Sequence, residues 1–155
     1  MGESAAPAVA ERESVARTTG QTRLIACLMS LAFLSVIALS MWLTPDKRGY
    51  GTHEQLGMPP CGMMYWLGVP CPMCGMTTAF TFMAHGEISN ASQTQPAGAV
   101  GFVACCLLAV AAAACVIRPS WFSYIFEGQA AAWMFRFGLV VVMLAWTYKI
   151  MYHFK

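Results

Sequence analysis

Long uncharged runs alternate along the chain with stretches where polar residues, glycines and prolines gather. This pattern predicts three membrane-length helices, with an elaborate connection between the first two. Leu24 to Leu43 has no charged side chain; Arg23 precedes it, and Trp42, Pro45, Lys47 and Arg48 close it. At ~1.5 Å per residue the run covers about 30 Å, the thickness of a bilayer's hydrocarbon core, and its flanks are those of a helix meeting two interfaces. A signal peptide is the rival reading, because Ala38-Leu39-Ser40 loosely resembles a cleavage site. Signal-peptide apolar cores are only about 7–15 residues long, so a retained span over 24–43 is expected. Ala97 to Ile117 is a second uncharged run, between Pro96 and Arg118-Pro119. Its Gly98, Gly101, Ala104, Cys105, Ala109 and Ala112-Ala113-Ala114 let backbones approach closely in lipid, as the central helix of a bundle requires. The third span is expected over 131–150, with Trp133, Trp146, Tyr148 and Tyr152 as aromatic belts and Arg136 as a snorkelling interface anchor. Residues 1–22 are rich in Ala, Ser, Thr, Glu and Arg without an apolar period and read as a disordered tail, leaving 23–152 as one membrane domain.

Composition supports this picture. Hydrophobic residues make up 58% and charged residues 10% of the chain, against about 25% charged in an ordinary soluble domain. A net charge of +2 without a basic cluster argues against a nucleic-acid partner. The expected fold is an all-α integral membrane protein with three transmembrane helices plus a short interfacial or re-entrant helix between the first and second. Arg12, Arg17, Arg23 and Arg118, helped by Arg136, fall on one side of the bilayer, and Lys47, Arg48, Lys149 and Lys155 on the other. The slight excess points to a cytoplasmic amino terminus in the cell membrane, with the loop between the first two spans on the outer, oxidising face.

That loop, with its partial helix over 58–88, holds the candidate chemistry. Cys27, Cys105, Cys106 and Cys115 lie in apolar runs and read as packing residues. Cys61, Cys71 and Cys74 share the loop. The surrounding Met63, Met64, Tyr65, Trp66, Leu67, Phe80, Phe82 and Met83 are too apolar for a solvated connection. Pro72 suits a first helical position with Cys71 as its cap, and Gly86 supplies a stop. The predicted helix Pro72–His85, about 21 Å long, would carry Cys74, Thr78, Thr81 and His85 on one stripe.

Three readings of the cysteines stand side by side. As a structural staple, a disulfide from Cys61 to Cys71 or Cys74 would fix the loop to the bundle of an accessory subunit. As a metal site, Cys71-x-x-Cys74 is a zinc half-site that Cys61 and a histidine would complete. His85 stands about 16 Å from Cys74 by helical rise, so His53 is the better fourth ligand. As a redox site, Cys71 at a helix start would be the lowered-pKa thiol and Cys74 the resolving one. No Gly-x-Ser-x-Gly elbow or phosphate-cradling loop is present, and no acidic residue lies within a span to suggest a transporter. A structural or accessory membrane subunit is favoured over an enzyme. The bilayer is its expected environment, with a second copy or another membrane protein as partner, zinc as the one candidate cofactor and no nucleic acid.

The compound motif also resembles a family. Cys71-Pro72-x-Cys74-Gly75-x-Thr77, then His85-Gly86 and Ala91 with Pro96 beyond, and Cys61 upstream, is similar to the signature of small bacterial membrane proteins known as domain of unknown function 2752. The resemblance spans residues 59 to about 117 and implies a membrane location without an established activity. Two positions depart from the pattern: Thr78 stands where Arg is usual, and Gln95 where Asn is more common.

Overall fold

The computed structural model describes the backbone of residues 5–127 and 129–153, and side chains over 19–126, 129 and 131–151. Those residues are mostly helical, with no strand among them. Helix α1 (Ala5–Trp42) leads through a 3-10 helix (Thr52–Leu56) to α2 (Gly62–Leu67), α3 (Met76–Ala84) and α4 (Ile88–Thr94). Helix α5 (Pro96–Ile117) follows, then the short α6 (Ser120–Phe122), a π-helical turn (Ser123–Glu127) and α7 (Gln129–His153). Three helices are long and apolar enough to cross a membrane: Thr19–Trp42 within α1, Pro96–Ile117, and the segment Ser120–Met151 that contains α7. This is the expected all-α membrane fold.

Two boundaries differ from the expectation. The backbone is helical from Ala5 and runs unbroken into the first span, where a disordered tail is expected over 1–22; residues 1–4 lie outside the described residues. Ala, Glu and Arg in that stretch are strong helix formers, and Pro7 falls in the first turn, where it is tolerated. Side chains before residue 19, and those of Tyr152 and Lys155, lie outside the described residues. The partial helix of the loop is also broken up. It starts at Met76 instead of Pro72, and α2 and α4 stand on either side of it.

Helix α5 sits at the centre, in contact with α1, α3, α4 and α7. Its buried positions are small: Ala97, Gly98, Cys105, Ala109, Ala112 and Cys115. On α1, which packs against α5, Ala26, Ser30 and Ser40 are also buried, and Ala26 packs with Cys115, so the pair approaches through small side chains as lipid-embedded helices do. A Cβ on Gly98 would stand 2.6 Å from the Ala79 Cβ, so glycine is what lets α3 lie against α5. The thiols of Cys105 and Cys115 are buried here, in agreement with a packing role, whereas Cys27 is exposed on α1. Arg136 on α7 is exposed, its guanidinium carbon 5.4 Å from the centroid of the Trp133 ring.

Candidate functional site

From Cys61 the chain forms the short α2 and then, from Gly68 to Gly75, irregular backbone held between helices. Cys61 occupies the cap position of α2. Hydrogen bonding from the Met64 backbone N–H, with Met63 and the neighbouring thiols adding to it, holds the Cys61 thiol below its ordinary pKa. Gly68, at φ 63°, ends α2 and returns the chain to Pro70. From Cys71 the backbone turns tightly, with Cys74 N donating to Cys71 O (3.0 Å) and Met76 N to Met73 O (3.0 Å). Gly75, at φ 82°, caps α3. A residue in that left-handed conformation cannot continue a helix, so the run expected from Pro72 is a turn up to Gly75 and a helix only beyond it.

The turn changes what the cysteines can do. The sulfurs of Cys61, Cys71 and Cys74 all lie within 4.8 Å of one another. Cys74 is buried and the other two are partly so. Burial, reinforced by the charges of Cys61 and Cys71, pushes the Cys74 thiol up to about 11. Three convergent thiols could hold one metal ion. Among the described residues no histidine or carboxylate joins them. His53 is turned away, its Nε2 3.2 Å from Pro59 O. The helix-start role expected of Cys71 belongs to Cys61.

The polar stripe expected from Cys74 to His85 is likewise shortened. Cys74 lies in the turn, outside α3. The buried Thr78 accepts a hydrogen bond from the Thr52 hydroxyl (2.9 Å), which in turn accepts one from Asp46 N (3.1 Å). Thr81 Oγ1 donates to Thr77 O (2.8 Å). His85 Nδ1 lies 2.8 Å from Thr81 O, and since a carbonyl can only accept, Nδ1 carries the proton. Gly86, at φ 79°, ends the helix as expected, with Gly86 N donating to Met83 O and Glu87 N to Phe82 O. These threonines and His85 are structural pins for α3.

What positions the cysteine turn comes from elsewhere. Trp146 Nε1 donates to Pro70 O (3.0 Å) and Lys149 Nζ to Cys74 O (2.7 Å), both from α7, one helical turn apart. Gln95 Nε2, just before α5, donates to Pro72 O (2.9 Å). Non-helical backbone near lipid needs such internal partners, because no water is there to satisfy its carbonyls. A Cβ on Gly75 would meet Gly49 O at 2.6 Å and Lys149 Nζ at 2.7 Å, so the turn is packed tightly on all sides. Sequence reasoning missed these roles. Trp146 read as belt, Lys149 as one flanking charge among several, and Gln95 only as a departure from a pattern. A lysine in an otherwise apolar run was the one visible signal.

Residues 61–109 match the model of the family described as Protein of unknown function (DUF2752). The chain carries this family's segment. The match begins at Cys61, takes in the turn and Gln95 and ends within α5, so Trp146 and Lys149 lie beyond it. No curated protein matches the chain, and no solved structure does.

Proposed function

We propose that Cys61, Cys71 and Cys74 bind one thiophilic metal ion, zinc foremost, and that the ion clamps the irregular loop onto the three-helix bundle of an accessory membrane subunit. The observation that carries this reading is the convergence of three sulfurs within 4.8 Å. Zinc–thiolate bonds of ~2.3 Å in tetrahedral geometry set sulfurs about 3.8 Å apart, so small side-chain rotations bring all three onto one ion. A disulfide engages only two and would leave the third beside them. Zinc with three thiolates carries one negative charge, which the amino terminus of α2 at Cys61 and the ammonium of Lys149, bonded to the Cys74 carbonyl, both favour. Solvent or a donor from a partner subunit fills the fourth position.

The test is elemental analysis of the full chain purified without chelator, in parallel with the Cys71→Ser and Cys74→Ser variants. About one zinc per chain that falls to near zero in both variants is expected. Equal, near-zero metal in all three overturns the reading. A second reading, thiol–disulfide chemistry, is favoured by one asymmetry: Cys61 is the more acidic thiol and Cys74 the less acidic. Counting free thiols in the denatured, unreduced protein separates the two, since a metal site keeps all three cysteines alkylatable and a disulfide blocks two. The charge bias of the sequence supports a cytoplasmic amino terminus in the cell membrane and an outward-facing site. Labelling Cys61 with a membrane-impermeant maleimide in intact cells tests it, and protection that persists after chelation and reduction reverses the orientation.

A further inference from the structure

Beside the cysteine turn an open cavity of about 1220 Å³ lies between the end of α1, the loop and the last turns of α7. Its lining includes Lys47, Arg48, His85, Lys149, Asn90 and Glu87. Arg48 is already paired with Asp46 (2.7 Å) and Glu54 (2.9 Å). Lys47 and Lys149 have no carboxylate partner among the described residues. Lys149 is the more telling of the two. It is partly buried, and two of its three N–H groups are given to the carbonyls of Cys74 (2.7 Å) and Thr94 (3.2 Å). Neither neutralises it. The third N–H remains on an ammonium that borders the cavity. The single acid in the lining, Glu87, accepts a hydrogen bond from Asn90 (2.6 Å).

We infer that this cavity binds a phosphate-bearing anion, with the partly buried Lys149 as the anchor and Lys47 at the rim. Cationic lining with one acid selects an anion. The remaining N–H of Lys149 sits on a compact ammonium, which suits a phosphate oxygen that accepts strongly at a point charge. The volume exceeds the ~300–1,000 Å³ usual for a small-molecule site, leaving room for a glycerophosphate head as well as for free phosphate. Thr44 and Pro45, just past α1, and Tyr148 near the end of α7 also line it. The cavity therefore opens at the level where two spans leave the hydrocarbon layer, which is where lipid phosphates lie. No cysteine lines the cavity, so lipid and phosphate retention is read apart from metal binding, although both sites draw on the charge of Lys149.

The test uses the full chain in detergent. Native mass spectrometry measures retention of phosphatidylglycerol against phosphatidylcholine, and calorimetry measures binding of inorganic phosphate and of glycerol 3-phosphate. Preferential retention of the anionic lipid, weakened about fivefold by Lys47→Gln and further by Lys149→Met, is the expected result. Glu87→Gln is expected to strengthen retention. Saturable binding of phosphate or glycerol phosphate without lipid preference, with the same loss in the variants, assigns the anion to a soluble source. Equal retention of both lipids with no soluble-phosphate binding overturns the inference, as does binding that Lys47→Gln and Glu87→Gln leave unchanged. Lys47 is exposed and makes no contact that the fold needs, so its variant tests the inference even if Lys149→Met does not fold. Metal content measured on the same samples keeps this outcome apart from that of the cysteine site.

Discussion

Helices α1 and α5 hold each other along their length through small buried residues, Ala26 and Ser30 on one and Cys105, Ala109 and Ala112 on the other. Helix α7 is held differently. Most of its large side chains, Phe135, Phe137, Leu139, Val140 and Leu144 among them, are exposed to what would be lipid. Its ties include two polar side chains near its end, Trp146 and Lys149, both bonded to carbonyls of the cysteine turn, with Lys149 also reaching Thr94 O. One contact is made by packing, the other by hydrogen bonds to irregular backbone. In lipid, where apolar contact between helices brings little hydrophobic gain, that difference makes the cysteine turn the junction between the third span and the rest. A metal ion at the three thiols would stiffen that junction and leave the α1–α5 pair untouched.

The largest expected effect breaks the junction alone. Cys71→Ser or Cys74→Ser should abolish metal retention, measured by elemental analysis, while thermal unfolding of the helices by circular dichroism shifts only slightly. A collapse of helicity in either variant would show that the two regions do not fold independently. The reciprocal experiment attacks the packing around α5. Gly98→Val adds a branched side chain where even a single Cβ would stand only 2.6 Å from the Ala79 Cβ. Overpacking of this kind costs about 1–3 kcal/mol, so the melting temperature should fall by several degrees, a drop that an unchanged melt would contradict. Third in size is Trp146→Phe, which removes the donor to Pro70 O and should cost about 1 kcal/mol. Its readout is local: in chelated, reduced protein, the buried Cys74 should react faster with maleimide than in the parent chain, and an unchanged rate would mean that Trp146 does not hold the turn.

These regions also differ in how legible they were from the sequence. Three spans follow from uncharged runs of bilayer length, and the central place of α5 follows from its glycines and alanines, because both are properties of neighbouring residues on one helix. The gathering of Cys61, Cys71 and Cys74 was visible as a shared loop but not as a geometry. It depends on Gly75 adopting a left-handed conformation, and Pro72 pointed with equal force to an earlier helix start. A continuous helix would have kept Cys74 near Cys71 but aligned it with the Thr78–Thr81 stripe; the turn leaves that stripe to Thr52, and the three sulfurs gather at the turn instead. The ties from Trp146 and Lys149 cross more than seventy residues, and no local pattern announces a contact of that range.

The smallest expected effect concerns the cap of the packed pair, where the chain leaves α1. Gln55 holds the Thr44 backbone through both its amide atoms (2.6 and 3.2 Å), and Asp46 accepts from the backbone and guanidinium of Arg48. The Arg48 guanidinium holds the Asp46 carboxyl below its ordinary value of 3.8. A carboxyl whose pKa is depressed by folding stabilises the fold above its unfolded value, and that contribution disappears as pH falls through the folded value. Asp46→Asn should therefore lower the melting temperature slightly and by a constant amount at any pH well above 3.8, and the gap should close below it. The ion pair is at the surface, so added salt should shrink the gap as well. A gap that persists in acid would place the contribution of Asp46 outside its charge and outside its hydrogen bond to the Arg48 backbone, because the amide oxygen of Asp46→Asn can still accept that bond. The end of α1 would then be held as the rest of its pair with α5 is, by fit.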